Sequence, residues 1–211
     1  MEPNLKQRIF GLDVLRTTAI IMVVCSHILW IYPKSNAFIP ILFELFGFWG
    51  VELFFVLSGF LIGSILYKTF VNESFTLKSV FYFLKRRWFR TLPNYYLVLL
   101  LNILIAYLLG FSIENMGSYF LFLQNFASKS PVFFPESWSL SIEEFTYLLL
   151  PFSLFFVGLV KLKNKTKLFL LVIVALILVF WMNKFYYHAQ HTISNLSEWN
   201  LNVKSAFINR I

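Results

Sequence analysis

The chain has 211 residues, of which 59% are apolar, 20% aromatic and 13% charged, with 18 Lys and Arg against 10 Asp and Glu. A soluble domain keeps about a quarter of its residues charged to face water, so this composition excludes one and sets much of the surface against lipid. The net charge of +8 is not a nucleic-acid footprint, because the cations fall in the gaps between apolar runs, as in the cytoplasmic loops of membrane proteins.

The first apolar run spans Leu12 to Tyr32, long enough to cross a hydrocarbon core of about 30 Å. Lys6 and Arg8 precede it, as they would a signal peptide. The run is too long for a signal core, lacks a small-residue cleavage site and holds Asp13, Arg16 and His27, so it reads as a retained helix. Its Cys25 is the chain's one cysteine, which removes disulfide and cysteine-metal readings. The second run, Ile41 to Tyr67, contains Glu44, Glu52 and four glycines, Gly47, Gly50, Gly59 and Gly63. The glycines permit close helix approach or a break.

A basic loop, Lys85-Arg86-Arg87-Trp88-Phe89-Arg90, followed by Pro93, leads into a third run from Leu92 to Phe111. Met116 to Ala127 is apolar but too short to cross, and is expected to lie at the interface or re-enter. The fourth and fifth runs are Trp138 to Val160 and Leu168 to Met182. The expected fold class is all-α: a polytopic transmembrane helix bundle with about five spans, a single domain over residues 1–211. After Trp199 the sequence shows no further packed element and reads as the front part of something longer.

Charge sets the expected orientation. With the N-terminus inside, the cytoplasmic segments collect Lys6, Arg8, Lys68, Lys78, Lys85, Arg86, Arg87, Arg90, Lys161, Lys163, Lys165 and Lys167. The outer segments collect Lys34, Lys129, Lys184, Lys204 and Arg210. Twelve against five puts the N-terminus in the cytoplasm.

Ionisable residues within spans are candidates for chemistry, because burial there costs several kcal/mol unless it is compensated. Arg16 and His27 stand eleven residues apart, on nearly one helix face and about 16 Å apart along the axis. Arginine snorkelling to lipid phosphates and a single structural hydrogen bond to the histidine would account for them equally well. Arg87 and Arg90 share a face if their segment is helical, and could clamp phosphate. Topology and anionic headgroups also explain a basic loop in full. On the outer side, Trp138-Ser139-Leu140-Ser141-Ile142-Glu143-Glu144 suits a helix start, with Ser139 as a cap and acids near the positive end of the dipole. Adjacent carboxylates point apart, so at most one of the two is expected to face a site. His188 and His191 read as solvated, and a metal site would need more ligands than they supply; no metal is expected.

Four segments in order resemble the membrane-bound acyltransferase-3 family, whose members acylate extracytoplasmic glycans and similar acceptors. Gly11-Leu12-Asp13-Val14-Leu15-Arg16 with His27 resembles the family's first helix, and Gly50-Val51-Glu52-Leu53-Phe54-Phe55-Val56-Leu57-Ser58-Gly59-Phe60-Leu61 its second. Arg87, Arg90 and Pro93 resemble its basic loop, and Trp138 to Pro151 its Trp-Ser-Leu-x-x-Glu segment. Phe145 and Thr146 depart from the polar-aromatic pair usual before the tyrosine, a difference that bears on the acceptor side.

The resemblance implies an N-terminal portion of a family member, truncated at its C-terminus. It also implies roles: His27 catalytic, Arg16 essential, Glu143 a site carboxylate with Glu144 a poorer candidate, and Arg87 and Arg90, with Arg86 beside them, binding the donor. The donor would be acyl-CoA, in particular acetyl-CoA, the acceptor a cell-surface glycan, and the setting the bacterial inner membrane. His27 would act as general base or carry the acyl group itself. The rivals are transfer of a different short acyl group such as succinyl, a transporter using the buried Arg16 and His27, and an inactive fragment.

The charge asymmetry generates a test. Single cysteines at Lys78 and Asn164, in a background freed of Cys25, should resist an impermeant thiol reagent in intact cells, and one at Ser130 should be labelled. Labelling at Asn164 but not at Ser130 would reverse the orientation.

Overall fold

A computed structural model describes residues 9–29, 31, 38–126, 133–160 and 164–190. Among these residues six helices follow in order: α1 Phe10–Ile28, α2 Phe38–Asn72, α3 Leu77–Leu108, α4 Met116–Phe120, α5 Ser137–Gly158 and α6 Lys165–Gln190. No strand occurs among the described residues. All except α4 are long and apolar enough to cross a membrane, as the five hydrophobic runs lead one to expect. The chain divides into two compact units, with the boundary inside α2 after Leu66.

In the first unit, α1 and the greater part of α2 meet at a glycine contact. A Cβ on Gly47 would come within 2.7 Å of the Ser26 Cβ, and one on Gly50 within 2.8 Å of Val23 Cγ2 and 3.0 Å of the Ala19 carbonyl oxygen. The two glycines are three residues apart and share a helix face, so the backbones approach across them, as small residues allow in membranes. Gly59 and Gly63 face open space. Of the four glycines, the first pair serves close approach and the second does not.

In the second unit, the end of α2 is tied to the start of α6. Lys165 Nζ donates to the Glu73 carbonyl at 2.7 Å, a cation placed on the negative end of a helix. The Tyr67 and Phe169 rings meet edge-on at 5.2 Å. Asn164 Oδ1 accepts the Lys167 N–H at 3.0 Å and so caps α6. Helix α5 packs on both α6 and α3.

The basic segment is not a loop. It forms inner turns of α3, which starts at Leu77, well before the apolar run at Leu92. The consecutive cations Lys85, Arg86 and Arg87 lower local hydropathy without breaking the helix, which is why the run reads shorter than the element.

Helix α3 ends in a Schellman turn at Gly110, whose φ of +75° suits a residue without a Cβ. The Phe111 and Gly110 N–H groups return to the Ala106 and Tyr107 carbonyls at 2.9 and 3.2 Å. The chain then runs back beside α3 through α4. Tyr95 Oη donates to the Tyr119 carbonyl at 2.8 Å, Tyr96 Oη to the Phe120 carbonyl at 2.9 Å, and Ser141 Oγ to the Phe122 carbonyl at 2.5 Å. Tyr95 lies about 20 Å along the axis from the end of α3 at Leu108, so the segment re-enters rather than lying flat beyond the helix. Tyr95, Leu99, Tyr119 and Phe122 form the buried cluster that receives it.

The glycine contact is testable. Gly47→Ala and Gly50→Ala should lower the midpoint of thermal unfolding in detergent. Gly59→Ala and Gly63→Ala should hold or raise it, since Ala favours a helix over Gly by about 1 kcal/mol. Equal behaviour of all four would remove the close approach.

Candidate active site

Helix α1 carries two of the expected site residues. Arg16 Nη1 lies 3.3 Å from Asp13 Oδ1, an ion pair one turn apart, and both side chains are more than a third exposed. A pair of this kind is worth little in itself, about 0.3–0.5 kcal/mol. His27 sits in the last turn, with Nδ1 2.7 Å from the Val23 carbonyl oxygen. A carbonyl can only accept, so Nδ1 carries the proton in the neutral ring and the basic lone pair resides on Nε2.

The second constellation joins α3 to α5. Trp88 Nε1 donates to Glu144 Oε2 at 2.9 Å, and Thr91 Oγ1 donates to Glu144 Oε1 at 3.2 Å. Arg87 Nη2 donates to Tyr147 Oη at 2.8 Å, and Tyr147 Oη donates in turn to Glu143 Oε2 at 2.6 Å. The Arg87 guanidinium also lies over the Tyr147 ring, 4.6 Å from its centroid, an attraction between cation and ring face that adds to the hydrogen bond. Tyr147 therefore stands between an arginine and a carboxylate, accepting from one and donating to the other. Arg87 Nε is buried and meets no acceptor among the described residues.

This arrangement changes the expected geography. The sequence sets the basic segment on the inner side and the start of the fourth span on the outer side. In the structure Arg87 is level with Tyr147, roughly halfway along α5 and about 15 Å from its first residue. Antiparallel packing of α3 and α5 brings together residues some sixty positions apart in the chain.

Of the expected donor-binding residues, Arg87 belongs to this constellation. Arg86 and Arg90 are exposed, and Arg86 lies over the Tyr82 ring at 5.7 Å. Glu143 belongs to it through Tyr147. Glu144 is the more buried carboxylate, 4% exposed, and holds α3 directly. His191 lies outside the described residues, as does the side chain of His188.

Sequence reasoning missed Trp88, Thr91 and Tyr147 as partners. The available signal was periodic: Glu143 and Tyr147 are four apart on α5, as are Arg87 and Thr91 on α3, and such pairs share a face.

A family model described as an acyltransferase domain matches residues 9–207. Peptidoglycan O-acetyltransferase OatA of Listeria monocytogenes is 30% identical over 198 residues, covering 83% of this chain and 29% of the relative. Putative peptidoglycan O-acetyltransferase YrhL of Bacillus subtilis is 31% identical over 177 residues, covering 75% of this chain and 25% of the relative. The chain thus spans between a quarter and three tenths of the length of these relatives. No solved structure matches.

Glu144→Ala leaves the half-buried Trp88 N–H without its acceptor, at about 1–3 kcal/mol, while the Thr91 hydroxyl keeps the Arg87 carbonyl at 3.2 Å. It should lower the unfolding midpoint more than Glu144→Gln, which keeps one acceptor oxygen. Equal stability of the Ala variant and the parent in detergent would show that the α3–α5 bonds do not form.

Proposed function

This chain belongs to the acyltransferase-3 family, and on that premise we propose that the protein is an integral membrane O-acyltransferase of the bacterial inner membrane. It moves an acyl group, specifically acetyl from acetyl-CoA, to a hydroxyl of an extracytoplasmic cell-envelope glycan. The relatives' names, both peptidoglycan O-acetyltransferases, support the acetyl group and the glycan acceptor. The N-terminus is cytoplasmic in this reading, so that acyl-CoA is drawn from the side where it is made.

The observation that carries the chemistry is the contact between His27 Nδ1 and the Val23 carbonyl. With Nδ1 2.7 Å from the Val23 carbonyl, Nε2 is the basic nitrogen of the neutral ring, the atom a general base uses. Nε2 takes the proton of the acceptor hydroxyl as that oxygen attacks the thioester carbonyl carbon. The carbon–sulfur bond breaks, and the imidazolium returns its proton to the departing CoA thiolate. The acyl group ends as an ester on the acceptor, and the histidine is restored.

Arg16 lies about 16 Å back along the same helix face, a separation of the order of a phosphopantetheine arm. A donor whose phosphates sit near Arg16 would extend toward His27 along α1. Glu143 serves as the site carboxylate, aligned by the Tyr147 hydroxyl. Arg86, Arg87 and Arg90 receive donor phosphates. Arg86 and Arg90 are the readily accessible cations, and Arg87 is tethered by Tyr147.

The test uses membranes bearing the full-length protein and radiolabelled acetyl-CoA. His27→Ala should reduce transfer about 10²–10⁴-fold, the usual worth of a general base, while CoA binding persists. Arg86→Ala with Arg90→Ala should instead weaken CoA binding, each lost charge-assisted bond costing about 1.5–3 kcal/mol. Normal transfer by His27→Ala would overturn the mechanism, and absence of any acyl transfer or donor hydrolysis by the parent protein would overturn the function.

A further inference from the structure

A concave groove of about 1140 Å³ lies between the last turns of α3 and the returning segment around α4. Asn102, Ile105, Ala106 and Leu109 contribute one face of α3, and the opposite wall runs from Phe111 to Gln124, with Phe133 closing one side. The family resemblance assigns no role to this region. Its chemistry differs from the rest of the chain in two respects.

The first difference is polarity. In a protein that is 59% apolar, Asn102, Glu114, Ser118 and Gln124 converge on one cavity. The Asn102 amide nitrogen donates to the Val98 carbonyl at 2.9 Å, which leaves Oδ1 as an acceptor. The Ser118 hydroxyl donates to the Asn115 carbonyl at 2.7 Å, and its oxygen keeps acceptor capacity. Glu114 is exposed on the rim. Convergent polar groups in a largely apolar cleft are the ordinary composition of a small-ligand site.

The second difference is charge. The chain has 18 cationic side chains against 10 acidic ones, yet among the described residues no Lys or Arg lines the groove, and the one charged lining residue among them is Glu114. A phosphate-bearing ligand finds no cation among these lining residues to offset its desolvation. A neutral ligand rich in hydroxyl and amide groups fits that lining. Phe111 and Phe133 supply apolar walls for the C–H face of a sugar ring, and the carboxylate and amide oxygens accept from hydroxyls.

We propose that this groove seats a neutral glycan chain, and that it is the acceptor-binding site; its role as acceptor site rests on the acyl-transfer reading above. Gln124, in the groove wall, donates to Ser137 O and Oγ at 3.3 and 3.2 Å. Ser137 is the first residue of α5, and Glu143, six residues on, is about 9 Å deeper along the helix. A glycan in the groove therefore lies two turns from the carboxylate that joins the Arg87–Tyr147 pair.

The test is calorimetric titration of the full-length protein in lipid nanodiscs, where no detergent sugar competes, with chitotetraose, a neutral N-acetylated tetrasaccharide. The parent protein should bind saturably and His27→Ala should bind with the same affinity. Glu114→Gln, a conservative change at an exposed position, and Gly117→Trp, which adds bulk where a Cβ meets nothing within 4 Å, should each weaken binding at least tenfold. Absence of saturable binding, or parental affinity in both variants, overturns the groove. If donor hydrolysis is absent but chitotetraose still binds in a Gly117-dependent way, the acyl-transfer reading fails and the groove stands. If the donor is hydrolysed and chitotetraose does not bind, the groove alone fails.

Discussion

The second unit is organised by one constraint: a polar group buried between membrane helices must find its partner within the protein. Glu144 is the sharpest case, a carboxylate 4% exposed in the middle of an apolar helix. Each interhelical hydrogen bond contributes modestly, about 0.6–2 kcal/mol in membranes. Leaving a buried carboxylate without donors costs considerably more. The penalty, rather than the gain, fixes the register of α5 on α3. One turn of slippage would take Glu144 from Trp88 and Thr91 and Tyr147 from Arg87 together. The groups that could do chemistry are thus held by the same bonds that set the packing.

The same constraint shapes the returning segment. Backbone that is not helical at membrane depth exposes carbonyls that lipid cannot satisfy. The carbonyls of Tyr119 and Phe120, in the last turn of α4, and of Phe122 just beyond it are met by the hydroxyls of Tyr95, Tyr96 and Ser141. Two of those hydroxyls come from α3 and one from α5, so the segment fits only after these helices have paired. Its aromatic side chains then fill the space beside Tyr95 and Leu99. A tyrosine suits this work because its ring adds apolar contact while its hydroxyl reaches a backbone oxygen.

The five long helices were legible in the sequence because length and apolarity are local properties. The placement of Arg16 and His27 on one helix was legible for a similar reason: their spacing needs no knowledge of neighbours. Two things were not. The first turns of α3 were hidden because Lys78, Lys85, Arg86, Arg87 and Arg90 lower hydropathy in a stretch that is nonetheless helical. The Arg87–Tyr147–Glu143 chain was hidden because its partners are separated by some sixty residues, and no periodicity relates one helix to another. The expectation that adjacent carboxylates diverge holds for the atoms they touch: Glu144 meets α3 directly and Glu143 meets Tyr147 of its own helix. Both still belong to one constellation, because the tyrosine carries the second contact across to Arg87.

Charge placement in the second unit then sorts two kinds of ligand. The exposed cations of α3, Arg86 and Arg90, lie on the turns around Arg87, whereas the groove at the other end of α3 has a carboxylate and no cation among the described residues of its lining. An anionic ligand is drawn to the first and repelled from the second, and a neutral hydroxyl-rich ligand gains most where its donors meet amide and carboxylate oxygens. Between these regions lies the apolar stretch of α3 from Leu97 to Leu101, covered in part by the returning segment. One helix with cations near its start and, among the described residues, none in the groove at its end separates the two kinds of ligand by electrostatics.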